Sequence, residues 1–384
     1  MTGGRILVTG GAGYIGSHTA KALHEAGYEP VVFDDLGNGH RDAVLWGPLV
    51  VGDVRDAGAL AGAVRAHAIQ GVVHFAGLIE VGRSVTEPDL FWDVNLNGVA
   101  AVLAAMRATG VSRIVLSSTA AVYGQPPVQG LTPLSEDLPL SPINPYGDSK
   151  LAAERLIAAH ARAYGIEGVA LRYFNASGAD PEGRIGEAHH PESHLIPLAI
   201  EAALGLGPPL TVFGDDFPTP DGACVRDYIH VADLADAHVR ALRLPLGASG
   251  FEAMNLGVGR GYSVLEVIAA VERATGRPVP YTVGARRPGD PPVLVADPSR
   301  AAALMDWRAT RRSLDAVIES AVAWRRAPRF GARFAELGAR RVACPRPSSS
   351  GAVTSAPSAE PATSGATRRA CPAMRSAWTI STVS

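Results

Sequence analysis

The chain has 384 residues, 47% of them hydrophobic, and a formal net charge of -2. That apolar content is enough for one large core or two adjoining ones, and the near-neutral balance excludes the basic field that nucleic acid or an anionic membrane would demand. Three cysteines, Cys224, Cys344 and Cys371, are without metal spacing and suit a reducing cytoplasm. The N-terminus lacks the pattern of a secretory signal, and no apolar run approaches a membrane span, so a cytoplasmic location with no membrane partner is expected.

The first element is a short apolar strand, Arg5 to Thr9, followed at once by Gly10-Gly11-Ala12-Gly13-Tyr14-Ile15-Gly16 and a helical pattern over Ser17 to Ala26. In this order the glycines let backbone N–H groups and a helix N-terminus approach a pyrophosphate, and Gly16 permits close helix–strand packing. Val31-Val32-Phe33 ends in Asp34, placed to accept a ribose 2′-hydroxyl and to repel a 2′-phosphate, so NAD is favoured over NADP. Further strands are expected near Val50, Val72, Ile114 and Val169. Their alternation with helices predicts an α/β fold with a doubly wound parallel sheet, the Rossmann arrangement. Pro88 to Ala108 reads as one helix with Gly110 as its stop, and Asn144 to Tyr164 as another.

From about Ala176 the sequence becomes rich in Pro and Gly, with short helices at Leu195 to Leu204, Val231 to Leu242 and Val264 to Ala274, and a last one at Leu314 to Arg326. The expected organisation is a nucleotide-binding domain over 1–175 with a return segment near 226–256. A smaller C-terminal substrate-binding domain would span 176–328. Residues 329–384, rich in Ala, Ser, Pro, Thr and Arg, bury too little apolar surface to offset ordering entropy and read as a disordered tail.

Thirty-three arginines stand against two lysines, and one of these, Lys150, lies four residues after Tyr146. Both side chains then share one face of a helix. A compact ammonium fits beside a ribose and a phenol where a guanidinium fork does not. Leu116-Ser117-Ser118-Thr119 ends the fifth strand at the ligand side of such a sheet, which places the Thr119 hydroxyl within reach of Tyr146. An unburied phenol has a pKa of about 10, so a base at neutral pH needs ~4 kcal/mol of preferential phenolate stabilisation. Lys150 and a nicotinamide cation are the expected sources.

The set Thr119, Tyr146 and Lys150 resembles the catalytic residues of short-chain dehydrogenase/reductase enzymes. Blocks in between narrow this: Thr9 to His18, His74-Phe75-Ala76-Gly77, Val122-Tyr123-Gly124, Pro145-Tyr146-Gly147, Leu171 to Asn175 and Val225 to Val231 together resemble the UDP-glucose 4-epimerase family from about Arg5 to Trp324. The resemblance implies a redox-neutral inversion at C4 of a UDP-sugar with NAD, by a homodimer associating through the helices of Pro88 to Ala108 and Asn144 to Tyr164. Carried over by position, Gly10, Gly11, Gly13, Tyr14, Ile15, Gly16, Asp34, Asn38, Asp53, Val54, Phe75, Ala76, Asn95, Tyr146, Lys150 and Phe174 would hold the cofactor. Thr119, Tyr146, Asn175, Leu195, Phe213, Arg226, Tyr228, Arg287 and Asp290 would hold the UDP-sugar, the arginines offering a diphosphate a bidentate fork. Taken alone, the Arg226-Asp227 and Arg287-Asp290 pairs also read as surface ion pairs.

Several positions depart from the family pattern. Asp148 stands where many members have lysine, Ile79 and Glu80 follow Leu78 where many place a lysine near the cofactor, and Ser193-His194-Leu195 replaces Asn-Asn-Leu. Leu294 occupies the position that in this family gates N-acetyl groups, and is intermediate in size. His189, His190, Glu192 and His194 have ligand-like spacing, but lie in a Pro-containing loop and the chemistry has no use for a Lewis acid, so no metal is assigned. A dehydratase or decarboxylase would carry an acidic residue after Thr119, where Ala120 and Ala121 stand. A 4-epimerase for a UDP-pentose, uronate or N-acetylhexosamine, and a non-catalytic NAD-sensing protein, are the remaining alternatives.

Overall fold

The computed structural model describes residues 3–125, 132–287 and 289–331. In chain order the strands are β1 (Arg5–Thr9), β2 (Glu29–Asp34), β3 (Leu49–Val51), β4 (Ile69–His74), β5 (Arg113–Thr119), β6 (Glu167–Tyr173), β7 (Asn175–Ser177), β8 (Leu210–Phe213), β9 (Val225–His230), β10 (Phe251–Leu256), β11 (Gly261–Ser263), β12 (Tyr281–Gly284) and β13 (Val293–Leu294). Seven of them form one sheet, ordered β10-β6-β5-β4-β1-β2-β3 and parallel throughout. This is the doubly wound α/β arrangement expected, and all six strands anticipated in its first half are present.

Strand periodicity explains why both faces of the sheet are covered. Ile6, Val8, Val73, Val115, Val169 and Leu171 point to one face and join a core shared with the helices Tyr14–Glu25 and Val231–Ala241. Leu7, Val31, Phe33, Val72, Ile114, Leu116 and Ala170 point to the other, where the helices Ala57–Ala66, Gly98–Thr109 and Pro145–Tyr164 pack. Successive residues of a strand face opposite ways, so near-continuous apolar runs are what a two-sided sheet requires. A separate core gathers the helices Leu195–Leu204, Val264–Thr275 and Leu314–Arg326 around β8 and β9.

Two elements differ from expectation. The stretch expected as one helix from Pro88 is interrupted: Trp92–Asn97 forms a π-helical turn between Pro88–Phe91 and Gly98–Thr109. Such turns carry no hydrophobic-period signal of their own. The helix expected from Ser17 begins at Tyr14, directly on the glycine loop. At the other end, Phe330 packs on Trp324 and His40, with ring centroids 4.9 and 5.1 Å apart, so ordered packing reaches past 329. The remainder of the expected tail, from 332 onward, lies outside the described residues. No helix among the described residues is long and apolar enough to cross a membrane.

The helix Pro145–Tyr164 starts cleanly because Asn144 accepts a hydrogen bond from the Gly147 N–H at 2.9 Å and Pro145 supplies a preset φ at the first helical position. Its inward stripe is unusual in being polar. Tyr146, Lys150 and Glu154 fall one turn apart, all buried. Glu154 accepts from the Arg172 guanidinium at 3.0 and 2.7 Å and from the Ser118 hydroxyl, binding the helix to β5 and β6. Arg172 also donates to the Tyr123 hydroxyl, which donates to Asn255 on β10. Removing one partner of such a pair leaves a buried charge uncompensated. Glu154→Ala should therefore lower unfolding free energy by ~3–5 kcal/mol, read from urea denaturation; a loss below ~1 kcal/mol would show that the network is dispensable.

Candidate active site

The carboxyl ends of the sheet strands present the polar groups: Thr9, Asp34, His74, Thr119 and Tyr173 are the last residues of β1, β2, β4, β5 and β6. Their crevice is a single cleft. Gly10, Gly13, Tyr14, Ile15 and Gly16 line it beside Asp34, Asn38 and Val54, with Phe75 and Ala76 midway and Ser117, Tyr146, Lys150 and Tyr173 at the far end.

The glycine loop is shaped by close approach. Gly10 has φ +70°, and a Cβ there would stand 2.6 Å from the Ala76 nitrogen. A Cβ on Gly16 would stand 2.2 Å from the Gly10 carbonyl oxygen, so any side chain there must displace the loop backbone. The helix that follows has no side-chain cap at Gly13 and no acidic residue in its first turn, so its positive end faces the cleft uncompensated. The Asp34 carboxylate accepts the Ala12 and Leu36 N–H groups, each at 2.9 Å, which fixes it at the rim of the cleft. Burial pushes its pKa up, and those two hydrogen bonds oppose the rise. An anion-favouring helix end, side-chain-free backbone and an oriented carboxylate fit a dinucleotide with a free ribose 2′-hydroxyl.

At the far end Tyr146 is 2% exposed and hydrogen-bonded to Thr119. Burial pushes the phenol up to about 12, the Thr119 hydrogen bond pulls it down, and the Glu80 carboxylate pushes it further up. Lys150 donates to the Ser117 carbonyl oxygen at 2.9 Å. Burial pulls the ammonium down to about 8, opposed by Glu154 one turn along. Lys150 thus remains largely charged at neutral pH, held on the main chain of β5.

Other anticipated residues are placed less directly. Asn95, in the π-helical turn, is buried; its Oδ1 accepts from the Leu78 N–H at 2.8 Å, and its Nδ2 donates to the Leu78 carbonyl and to Ser149. It shapes the cleft wall at Leu78 rather than lining the cleft. Asp53 is paired with Arg55 at 2.5 Å. Phe174 is buried with Val122, Tyr123, Leu151 and Leu294, away from the cleft lining. Gly11 packs beneath the loop, where a Cβ would meet Val32.

Arg226, Phe213, Arg287 and Asp290 come together. Asp290 accepts from Arg226 at 3.3 Å and from Arg287 at 3.1 and 2.8 Å, and the Arg287 guanidinium lies 4.9 Å from the Phe213 ring centroid. Arg226 is fully buried and its Nε has no hydrogen-bond partner, nor has the buried Tyr228 hydroxyl two residues along β9. The surface-pair reading therefore fails for Arg226, which pairs across 64 residues with Asp290, while the Asp227 carboxylate takes the Val258, Gly259 and Ala296 N–H groups. Asn175 donates to the Asp227 carbonyl at 3.1 Å, and Leu195 opens the helix of the second core. Leu294 pairs in register with Arg226.

Sequence reasoning missed Ser117, whose contribution is a carbonyl, and Tyr173, whose hydroxyl meets the Ser117 side chain. Only their place at strand ends could have flagged them. It also missed the wall contributed by Glu187, His189, His190, Pro191, Ser193 and His194.

A cleft joining a dinucleotide cradle to a buried Tyr–Thr–Lys cluster defines a nicotinamide-dependent enzyme of the extended short-chain dehydrogenase/reductase type. The profile of the NAD dependent epimerase/dehydratase family matches residues 6–257, and the chain belongs to that family. It is 48% identical over 324 residues to a UDP-glucose 4-epimerase of Rhizobium leguminosarum bv. trifolii, covering 84% of this chain and 98% of that protein. The structure of UDP-glucose 4-epimerase from Brucella ovis in complex with NAD matches with TM-score 0.80 and 48% identity, over 83% of this chain and 98% of that one. The enzyme from Bifidobacterium longum in complex with NAD+ and UDP matches with TM-score 0.80 and 38% identity, over 85% and 99%.

Gly16→Ala tests the cradle. The methyl group forces the loop away from the helix, so bound NAD should fall by more than ~10-fold while the folded fraction is kept, measured by cofactor release on denaturation. Full NAD occupancy in that variant would refute the close-approach argument.

Proposed function

We infer that the protein catalyses the reversible, NAD-dependent 4-epimerisation of UDP-glucose and UDP-galactose through a 4-keto intermediate, with Tyr146 as the base. The observation that carries this is Tyr146 itself: buried, hydrogen-bonded to Thr119, and at one end of a cleft whose other end is Asp34. When bound, NAD supplies an acceptor and later a donor for the C4 hydride, and a positive charge beside the phenol. Gly10, Gly13, Gly16 and Asp34 hold its adenosine diphosphate part, with Asn38, Asp53 and Val54 on the adenosine side.

Tyr146 takes the proton of the sugar 4-hydroxyl at its Oη and returns it to the inverted product. A phenol at about 12 needs ~7 kcal/mol of phenolate stabilisation to act near neutral pH, rather than ~4 kcal/mol for an unburied one. Thr119 contributes by donating to the phenolate, and the Lys150 ammonium by standing one helical turn away. Burial makes the base weak to form and strong once formed. Water is kept from the keto intermediate by the same burial.

Arg226 and Arg287 supply the charge for the UDP diphosphate, with Asp290 fixing both guanidinium groups and Phe213, Asn175, Leu195 and Tyr228 around them. The unpartnered Arg226 Nε and Tyr228 hydroxyl support this assignment, since buried donors seek acceptors. The absence of a carboxylic acid at Ala120 and Ala121 disfavours elimination. The separate core around β8 and β9 supports a second domain, while Ala301, Met305, Trp307 and Ala309 pack with the sheet core. A homodimer through the helices beginning at Pro88 and Pro145 is part of the same reading, supported by exposed Val85, Trp92 and Tyr164. A cytoplasmic setting completes it.

Purified protein without added cofactor should convert UDP-glucose to UDP-galactose, and Tyr146→Phe should lower kcat by ~10²–10⁴-fold with NAD still bound. Full activity in that variant would overturn the mechanism, and NAD binding with no turnover of any UDP-sugar by the unaltered chain would make it a sensor. Leu294→Tyr should raise, and Leu294→Ser lower, the preference for UDP-glucose over UDP-N-acetylglucosamine by ~10-fold or more, measured as a kcat/KM ratio. Equal ratios in both variants would discard Leu294 as a gate.

A further inference from the structure

The wall of the cleft contributed by the segment before the helix Leu195–Leu204 holds four ligand-type side chains, Glu187, His189, Glu192 and His194, with one donor atom of each within 4.8 Å of the others. The spacing that suggested His190 selects the wrong member; His190 is exposed, and Glu187 takes the fourth place. Glu187 Oε1 lies 2.8 Å from His194 Nδ1 and 3.1 Å from His189 Nδ1, and Glu192 Oε1 lies 3.1 Å from His194 Nδ1 and 4.0 Å from His189 Nδ1. A tetrahedral ion with bonds of about 2.0–2.1 Å sets its ligands about 3.3 Å apart. Those four separations bracket that value.

Charge points the same way. Three buried carboxylates, Glu187, Glu192 and Glu201, share one permanent cation, Arg325, which contacts Glu192 at 2.6 Å and Glu201 at 3.3 Å. Two negative charges are left over, the complement of one divalent cation with neutral imidazoles. One outer contact is also that of a metal site: Arg325 orients the second oxygen of Glu192 at 2.6 Å. We propose that Glu187, His189, Glu192 and His194 form a zinc site that fastens this wall of the cleft to the helices Leu195–Leu204 and Leu314–Arg326.

All four positions are filled by protein, so the ion is structural and takes no part in the sugar chemistry. Its effect on the cofactor is indirect. His189 stacks edge-on against Tyr14 of the glycine loop, with ring centroids 6.2 Å apart, so holding His189 holds that wall.

The test is equilibrium dialysis of the untagged, chelator-treated full chain against Zn2+, with Co2+ as the optical probe. One equivalent of zinc per chain and the intense visible bands of tetrahedral cobalt are expected. His189→Ala, the most exposed of the four, and His194→Ala should each weaken zinc binding by more than ~100-fold, with circular dichroism and a cooperative thermal transition reporting that the variants fold. No saturable zinc binding by the unaltered chain overturns the proposal. So does undiminished binding in both variants, or cobalt bound with the weak bands of an octahedral ion.

Discussion

The structure depends on burying a phenol and an ammonium on one face of one helix and still satisfying everything around them. A helix stripe that meets a parallel sheet is ordinarily apolar. The stripe of Pro145–Tyr164 instead reads Tyr146, Lys150, Glu154 before it turns to Ile157 and Ala161. Each polar group has its own partner on β5 or β6: Thr119 for the phenol, the Ser117 carbonyl for the ammonium, Ser118 and Arg172 for the carboxylate. Three consecutive residues of one strand thus receive three successive turns of one helix. The register between helix and strand is fixed by polar chemistry as well as by packing, and the distance from base to cofactor follows from it.

Local signals made the cofactor half legible. A strand, a run of glycines and a helix occupy consecutive positions, and the acidic residue that completes the cradle ends the next strand, so one window of sequence contains the whole cradle. The clustering of Thr119, Tyr146 and Lys150 was legible because two of them share a helix face and the third ends a strand. Ser117 and Leu78 escaped notice because they act through main-chain atoms, which carry no residue-type signal. Asn95, anticipated as a cofactor contact on resemblance, bonds the Leu78 main chain from a π-helical turn that no periodicity announces. The Arg226–Asp290 contact lies 64 residues apart in the chain, beyond any local reading, which is why a neighbouring pair looked equally plausible.

The two halves of the molecule treat charge differently, and this suits the reaction. At the sheet end Asp34, Lys150, Tyr146 and Tyr173 are each shifted by burial from their ordinary pKa. Arg226 and Asp290 are buried on the facing side, but there a second arginine shares the same carboxylate, leaving net positive charge for a diphosphate. On the proposed function, a sugar nucleotide held at its diphosphate by Arg226 and Arg287 would be tethered at one end, leaving the hexose beside Tyr146 and Thr119 free to turn. Tight hold on the anionic part and loose hold on the neutral part is what inversion at a single carbon demands.

Glu80 shows how these constraints pull against one another. Its carboxylate raises the phenol pKa, which opposes formation of the base. Its second oxygen also accepts the Ile79 N–H at 3.2 Å, and the Arg83 guanidinium stands 3.8 Å from the first. Half-screened by Arg83, the charge is a perturbation on Tyr146 rather than a veto. The larger opposing effect is burial, which no substitution at position 80 would remove. On the proposed function, bound NAD would add a positive charge beside the phenol, and Tyr146, raised by burial, would ionise most readily with that charge in place. The burial that weakens the base would then tie proton abstraction to an occupied cofactor cleft.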